Sequence, residues 1–394
     1  MPGPMESDRR LFTGTGRLLT PRPAELADWG IAVEDGRIGW VGPLRDAPAY
    51  EQRIDLGDAL VTPGLVDPHS HPVYAGDRSD EAAARLAGAR YDGGGILRTV
   101  AATRGASDED LEGLVEGRLG AQVAVGTTTV ECKSGYGLST DEELRALRIV
   151  TRVAERLPVR VVRTFLGAHA RPPDDRAYVD RLVEEMVPAV AAEGLAEFCD
   201  VFCEDGFFSP AETERILRVA ADHGLAPRLH ADQLTRGGGA ELAVRLGAVS
   251  ADHLEQLDQA GVATLASSST VATLLPGPAL VMRAGLPPAR ALLDAGATVA
   301  LGSDANAGTF GAWGAMPLVI GLGTTLLHMT VEEAIVAATT GAAAALALAG
   351  RRGILAAGAD ADLVAWDAHH EGAFALRLGA VRPLRTFIGG VEAG

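Results

Sequence analysis

Short apolar runs alternate with longer helical stretches through the middle of the chain. The eight runs predicted as strands are residues 65–71, 127–131, 161–166, 198–202, 227–230, 248–253, 271–275 and 298–301. Strands that are separated by helices are typical of βα units and a parallel sheet. Eight such units predict an α/β fold of the TIM type, a (β/α)8 barrel. A doubly wound open sheet is the alternative.

Hydroxyl side chains followed three residues later by an acidic side chain mark the starts of several helices. The four pairs are Ser107 with Asp110, Ser139 with Glu142, Ser209 with Glu212, and Thr330 with Glu333. In a capping box the hydroxyl accepts a hydrogen bond from the third backbone amide, and the carboxylate accepts one from the cap's own amide. Each pair therefore predicts the first residue of a helix.

The two ends of the chain differ from its middle. Residues 31–33 and 38–41 flank Asp35-Gly36, which predicts a β-hairpin with a tight turn. Residues 362–366 and 386–388 are further short β runs between glycines and prolines. We therefore expect one small β domain that is built from both termini.

Composition and charge limit the classes of partner. The 394 residues are 47% hydrophobic and 22% charged, and the formal net charge is −17. We expect neither nucleic acid nor an anionic membrane as a partner, because no basic patch stands out. No apolar run reaches the length of a membrane span, and the N-terminus lacks the order of a signal peptide. The three unpatterned cysteines predict no disulfide framework and favour a reducing cytoplasm.

Residues that can bind metal or transfer protons recur where the predicted strands end. His69 and His71 close the first strand, and side chains two residues apart on a strand share a face. That pair alone could equally be a surface turn. The other strand ends carry His169, His230, His253 and Asp304. Because the C-terminal ends of the strands form the active site of a TIM barrel, we expect these side chains to meet.

Such a cluster predicts hydrolytic metal chemistry. Three imidazoles and a carboxylate suit zinc or ferrous iron, and a catalytic site keeps one position for water. The ion lowers the pKa of bound water to roughly 7, so hydroxide is available at neutral pH. His253 can then transfer a proton or polarise an electrophile, and Asp304 can both bind the ion and accept the proton of the water.

Several segments resemble the amidohydrolase superfamily over the whole chain. These are Pro63 to Asp67 with His69 and His71, the histidines of the fifth and sixth strands, Asp304 on the eighth, and the tail from Gly353 to Val364. In that superfamily the tail belongs to a β-sandwich beside the barrel. The resemblance implies a sandwich formed by residues 1–61 and 350–394, and a hydrolase barrel formed by residues 62–349.

Finer motifs resemble the imidazolonepropionase family. They are Ala75-Gly76-Asp77-Arg78, Gly93-Gly94-Gly95-Ile96, Lys133-Ser134-Gly135-Tyr136-Gly137-Leu138, Leu166-Gly167-Ala168-His169, His230-Ala231-Asp232-Gln233 and Ser250-Ala251-Asp252-His253-Leu254. The third motif is the most specific and contains the only lysine of the chain. This resemblance implies hydrolysis of 4-imidazolone-5-propanoate to N-formimidoyl-L-glutamate, the third step of histidine degradation. It also implies a homodimer.

The same resemblance implies the roles of individual residues. The implied ligands of one zinc or iron ion are His69, His71, His230 and Asp304. The implied catalytic residues are His253, Asp304 and Gln233. The implied substrate-binding residues are Arg78, Tyr136, His169, Gln233, Asn306, Gly308 and Thr309. The guanidinium of Arg78 suits the propionate because it can bind a carboxylate through two parallel hydrogen bonds.

Some features leave alternatives open. Binuclear superfamily members use a carboxylated lysine of the fourth strand, whereas Lys133 lies on the second and the fourth carries Glu204. We therefore expect one metal ion, with Glu204 as a possible extra ligand. Two departures from the family pattern remain. Tyr91-Asp92 is followed directly by Gly93, where the family has a longer segment, and Ala307 occupies a position where the family frequently has proline. The rival functions are a purine or pyrimidine deaminase and a non-catalytic scaffold with the same fold.

Overall fold

The N-terminal part of the chain forms five short strands. The structure, a computed structural model, describes residues 9–24, 26–50, 52–88, 94–173, 175–283 and 285–393. The first strands are β1 (Arg9–Gly14), β2 (Trp29–Glu34), β3 (Arg37–Pro43), β4 (Gln52–Asp55) and β5 (Leu60–Pro63), with a short 3-10 helix at Leu44–Asp46. The predicted hairpin joins β2 to β3. Its turn residues Asp35 and Gly36 have φ of 50° and 77°, as a tight turn of this kind requires.

Eight parallel strands form the centre of the molecule. They are β6 (Leu65–Asp67), β7 (Thr127–Lys133), β8 (Arg160–Ala168), β9 (Phe198–Cys203), β10 (Ala226–Ala231), β11 (Ser250–His253), β12 (Val271–Leu274) and β13 (Val299–Leu301). Each strand pairs with the next one along the chain. Beyond their ends, β6 and β13 are joined by hydrogen bonds of 2.9 Å from Asp304 N to His69 O and from His71 N to Ala305 O. The TIM-type barrel is confirmed.

The first barrel strand is shorter than the sequence predicts. The prediction extends to residue 71, but β6 ends at Asp67. Pro68 follows, and proline has no amide hydrogen with which to continue a ladder. His69 and His71 therefore lie just after β6 and not in a regular strand. Their backbone groups form the hydrogen bonds to the segment after β13. Their position at the mouth of the barrel is unchanged.

Helices surround the barrel. Those in the described residues are α1 (Ser79–Leu86), α2 (Gly94–Gly105), α3 (Asp108–Val123), α4 (Thr140–Ala154), α5 (Tyr178–Arg181), α6 (Val187–Ala192), α7 (Pro210–Asp222), α8 (Gly239–Arg245), α9 (Gln259–Ala266), α10 (Pro276–Met282), α11 (Ala289–Asp294), α12 (Met316–Thr325), α13 (Val331–Val336) and α14 (Ala342–Ala344). Single π-helical turns at Leu182–Met186 and Ala337–Gly341 interrupt the outer layer. No helix among these residues is both long and apolar enough to cross a membrane.

The predicted helix starts differ in how they are capped. Ser209 and Thr330 form complete capping boxes, and the Ser107 hydroxyl accepts a hydrogen bond from the Asp110 amide. The capping box at Ser139 was wrong, although α4 does begin at the next residue. The Ser139 hydroxyl makes no capping bond, and the carboxylate of Glu142 accepts a hydrogen bond of 3.0 Å from Arg145.

Both termini build the small β unit. After the barrel come β14 (Leu363–Trp366), α15 (Ala373–Leu376), β15 (Pro383–Ile388) and β16 (Val391–Ala393). One sheet has the order β3-β2-β1-β4, and the other has the order β16-β15-β14-β5. Apolar side chains of both sheets form one core, in which the rings of Phe12 and Phe387 lie 4.8 Å apart. The domain limits 1–61, 62–349 and 350–394 remain predictions.

Candidate metal centre and active site

The predicted ligands meet at the C-terminal mouth of the barrel. The Nε2 atoms of His69 and His71 lie 3.2 Å apart, and Oδ1 of Asp304 lies 3.6 Å and 3.3 Å from them. Donor atoms of these three residues all lie within 4.8 Å of one another, and the same holds for His69, His230 and His253. Two groups that could hold a cation therefore share His69. Every member of both groups is buried.

The electrostatics of the site prepare these residues for a cation. Burial, helped by the charge of Lys133, holds the pKa of His69 well below its ordinary value. Burial also lowers the pKa of His230 to about 4. Burial alone would raise the pKa of Asp304, but the facing histidines, led by His71, lower it far more. Neutral imidazoles and an ionised carboxylate are the forms that bind metal, so these residues fit a divalent ion.

Carboxylates behind the ligands determine which ring nitrogen faces the centre. Nδ1 of His69 lies 2.7 Å from Oδ2 of Asp252, and Nδ1 of His230 lies 2.9 Å from Oδ2 of Asp200. The second contact is close but poorly aligned for a hydrogen bond. An imidazole that donates its Nδ1 hydrogen to a carboxylate keeps Nε2 unprotonated for the metal. Both carboxylates therefore favour the required tautomer.

His253 lies beside the predicted metal ligands in an unusual backbone conformation. Its φ is 82°, and that of Asp304 is 47°, in a region that ordinary side chains rarely adopt. Such outliers concentrate at functional sites. Burial lowers the pKa of His253, but nearby acids, with Glu255 the strongest, raise it above its ordinary value. Nδ1 of His253 lies 3.5 Å from Oε1 of Glu255, so Nε2 is the ring nitrogen on the side away from that carboxylate.

One narrow cavity opens onto this centre. The predicted residues that line it are His71, Arg78, Tyr136, His169, His230, Gln233, His253, Asp304, Asn306 and Thr309. His69 lies against these ligands without lining the cavity, and Gly308 lies behind Arg78. Ile96 and Phe202 also line the cavity. The sequence reading missed these two because an apolar residue on a helix or strand has no chemical signature.

Arg78 is held in a fixed orientation at the cavity. Its Nε and Nη2 donate hydrogen bonds of 2.9 Å and 2.7 Å to the two carboxylate oxygens of Glu81. A Cβ atom added at Gly95 or at Gly308 would overlap the guanidinium. Gly308 therefore acts by lacking a side chain, because a larger residue would displace Arg78.

Tyr136 and His169 form an aromatic wall of the cavity. Their rings lie 5.1 Å apart, and His169 stacks on His71 at 5.2 Å. Burial holds the pKa of His169 well below its ordinary value. Nδ1 of this neutral ring lies 3.0 Å from the carbonyl of Gly135 and donates to it, which leaves Nε2 as an acceptor. The carboxylate of Glu143 accepts hydrogen bonds from three backbone amides of the loop that carries Tyr136 and so fixes the shape of that loop.

Asn306 builds the loop after β13. Its Oδ1 accepts hydrogen bonds of 2.7 Å and 2.8 Å from the amides of Gly308 and Thr309. Its Nδ2 donates to the Asp304 carbonyl and to the Thr309 hydroxyl, both at 2.7 Å. The side chain that was predicted to contact substrate is therefore engaged in placing Asp304 and Gly308.

Two residues with open assignments are also located. Glu204 accepts hydrogen bonds from the amides of Asp205 and Leu234 and from the Thr235 hydroxyl. Glu204 therefore connects two loops by hydrogen bonds, and within the described residues it belongs to neither cation-binding group.

Lys133 lies fully buried inside the barrel. The shortened segment at Tyr91 to Gly93 lies outside the described residues.

The carboxylates Asp200 and Asp252 were not predicted to serve the site. A signal for them exists in the sequence, because each is an acidic residue inside a predicted strand, and for Asp200 the rest of that strand is apolar. Buried charges of this kind are rare unless they are paired or functional. Which histidine each carboxylate would contact depends on neighbouring strands, and a single sequence does not reveal that pairing.

Comparison with known proteins agrees with this arrangement of barrel and buried ligands. The model of the Amidohydrolase family matches residues 73–380, so the chain belongs to the amidohydrolase family. An imidazolonepropionase of Caulobacter vibrioides is 47% identical over 380 residues, with 92% of this chain and 94% of that protein covered. An imidazolonepropionase of Rhizorhabdus wittichii is 44% identical over 393 residues, with 97% of each covered. Within the amidohydrolases, the chain belongs with the imidazolonepropionases.

A solved structure shows the same fold at lower similarity. An adenosine deaminase of Xanthomonas campestris with bound zinc has a TM-score of 0.71 and 20% identity. The alignment covers 97% of this chain and 92% of that one. At this identity the likeness concerns the fold alone.

Proposed function

We propose that this protein hydrolyses the ring C–N bond of 4-imidazolone-5-propanoate and forms N-formimidoyl-L-glutamate. The observation that carries the proposal is a single cavity lined by Arg78 and by the cation-binding residues His71, His230 and Asp304. A small ring with an anionic tail matches that combination, because one end needs a guanidinium and the other a hydrolytic centre. The similarity to imidazolonepropionases over nearly the whole chain supports the same substrate.

One divalent cation, zinc or iron, would be held by His69, His71, His230 and Asp304. When bound, it would polarise the ring carbonyl and lower the pKa of the attacking water. The set of imidazoles with one carboxylate supports both metals. The two groups of buried donor atoms that share His69 support a divalent ion at this place.

The walls of the cavity would orient the substrate. Arg78 is buried and held by Glu81, so its guanidinium can meet the propionate with little loss of side-chain freedom. Tyr136 and His169 would contact the substrate along the aromatic wall that they form. Gln233, which lines the same cavity, would donate a hydrogen bond to the ring. Burial of these groups excludes water and strengthens each polar contact.

Asp304 and His253 would transfer the protons of the reaction. The oxygen of water adds to the carbonyl carbon, the bond from that carbon to the ring nitrogen breaks, and the nitrogen receives a proton. The ionised carboxylate of Asp304 would accept the proton that water loses. His253, whose raised pKa favours the protonated form, would stabilise the developing oxyanion and supply a proton from Nε2.

The decisive experiment follows the loss of freshly generated 4-imidazolone-5-propanoate, with and without a chelator. We expect rapid turnover that the chelator abolishes and that added zinc or iron restores. Guanine and cytosine in parallel assays distinguish the deaminase alternative. Turnover of either base without turnover of the imidazolone would contradict the proposal.

We also infer that the protein works in the cytoplasm as a homodimer. Cys132, Cys199 and Cys203 are buried free thiols, which suits a reducing compartment. The dimer rests on resemblance to the family. Light scattering of the purified protein at several concentrations measures the assembly directly, and a monomer at all of them would contradict the inference.

A further inference from the structure

Five charged side chains form a buried cluster inside the barrel, one layer below the metal ligands. The cluster consists of Glu131 and Lys133 on β7, Asp200 on β9, Arg228 on β10 and Asp252 on β11, and each residue is 0% exposed. Two cations and three carboxylates leave the cluster with one net negative charge. Charges at this depth cost several kcal/mol per ion unless they are paired. Because the cluster is costly to bury, we expect its charges to serve the function of the protein.

Lys133 lies at the centre of this charged cluster. Its Nζ lies 2.8 Å from Oε1 of Glu131, 2.7 Å from Oδ2 of Asp200 and 3.9 Å from Oδ2 of Asp252. Arg228 supplements it and donates from Nη2 to Oδ2 of Asp252 at 3.0 Å. Nη2 of Arg228 also donates to the carbonyl of Pro68, Nη1 donates to that of Ala345, and Nε lies 3.5 Å from Oε1 of Glu131. Every carboxylate of the cluster thus lies near the single ammonium.

The carboxylates that Lys133 approaches are also those that contact the metal-binding histidines. Asp252 meets Nδ1 of His69 at 2.7 Å. Asp200 lies 2.9 Å from Nδ1 of His230 and also accepts the backbone amide of that residue at 3.1 Å. A continuous chain of contacts therefore runs from the ammonium through each carboxylate to an imidazole.

We propose that Lys133 is a positioning residue for the metal centre. It holds Asp200, and together with Arg228 it holds Asp252, so that His230 and His69 both present Nε2 to the cation. The inference rests on the proposed function only in assuming that a divalent ion binds here. A compact ammonium with three donors can approach three carboxylates at once, whereas a planar guanidinium requires a fork-shaped partner. The only lysine of the chain thus stands where arginine would fit poorly.

The first test measures metal affinity in the variant Lys133→Met, which keeps the length of the side chain and removes its charge. Groups that orient metal-bound histidines contribute roughly 10- to 100-fold to affinity, and we expect a zinc dissociation constant raised by about that factor in competition with a chromophoric chelator. The absorption bands of the cobalt-loaded protein should also change, because the ligand geometry changes. Wild-type affinity together with a wild-type cobalt spectrum would overturn the proposal.

The matched control is Leu265→Ala, a fully buried core residue of α9 in the outer helical layer, where α9 packs on α8 and α11. It should lower the melting temperature without changing the zinc affinity or the cobalt spectrum. This control separates positioning from general loss of stability. A control that lost zinc to the same extent as Lys133→Met would show that destabilisation alone explains the effect, and it would also overturn the proposal.

A second test needs no variant and applies even if Lys133→Met fails to fold. Because the chain has a single lysine, lysine labelled with ¹⁵N at Nζ gives one side-chain resonance. We expect a slowly exchanging ammonium signal that shifts when zinc is added. A signal identical in metal-free and zinc-loaded protein would contradict the role. Zinc binding with a shifted signal but no turnover of the imidazolone would refute the proposed function and leave this inference intact.

Discussion

The core of the β-sandwich and the interior of the barrel differ in the kind of side chain that they bury. The sandwich core is built from large apolar side chains such as Phe12, Trp29 and Phe387. The barrel interior holds ionised side chains such as Lys133 and Asp252 in equally complete burial. Apolar burial contributes about 1.5–3 kcal/mol for each large side chain. Buried ion pairs often contribute nothing relative to apolar residues of the same volume.

This difference shows where the protein gives up stability for function. In the barrel, burial keeps the imidazoles of His69 and His230 neutral, and the buried carboxylates orient them, which apolar side chains could not do. The sandwich contains none of the predicted site residues, so we expect its packing to affect stability and not catalysis. Substitutions in the two regions should therefore separate into those that change catalysis and those that change stability.

The largest effect is expected at the metal centre, from Asp304→Asn. The amide cannot replace the charge of the carboxylate, so the variant should bind less than one equivalent of zinc and show no measurable turnover. Elemental analysis and the imidazolone assay measure both. A fully metallated and active variant would remove Asp304 from the ligand set.

The variant His253→Ala tests the chemistry next to the metal. General acid–base catalysis contributes roughly 10²- to 10⁴-fold, so kcat should fall by about that factor while the metal content stays at the wild-type level. Near-normal turnover would exclude His253 from the mechanism. Loss of metal would instead identify it as a ligand, which its place beside His69 and His230 would allow.

The variant Arg78→Ala tests substrate binding within the same cavity. Hydrogen bonds between charged partners contribute about 1.5–3 kcal/mol, so KM should rise roughly 10- to 100-fold while the metal content is retained. An unchanged KM would show that the propionate binds elsewhere.

Gly308→Ala provides a milder version of that experiment. The added Cβ would overlap the guanidinium of Arg78, so KM should rise, by less than in Arg78→Ala. The double variant should be no worse than Arg78→Ala alone, because Gly308 acts through the arginine. Fully additive effects would contradict this explanation.

The smallest effect on turnover is expected in the sandwich, from Phe387→Ala. Removing a buried phenylalanine costs about 3–5 kcal/mol of unfolding free energy, so the urea midpoint should fall clearly. Turnover and metal content at moderate temperature should not change, because Phe387 packs on Phe12 and not on the site. A proportional loss of kcat would show that the two regions are coupled.

Much of this molecule could be predicted from local sequence. The eight barrel strands were found because short apolar runs separated by helices define βα units, and capping boxes at Ser209 and Thr330 mark helix starts. The end of β6 was predicted too late because the strand was extended past its apolar residues, across Pro68, to include His69 and His71. The box at Ser139 was wrong, since its hydroxyl makes no capping bond and the Glu142 carboxylate contacts Arg145.

The sequence by itself determined the barrel and the set of candidate ligands, because periodicity and strand ends are local properties of the chain. Only the tertiary structure decided how these residues are held. Lys133 meets Asp200 across a sequence separation of 67 residues, and His69 meets Asp252 across 183. Such contacts follow from closing the sheet into a barrel, which brings β7, β9, β10 and β11 around one interior. No local pattern specifies which buried carboxylate will face which imidazole.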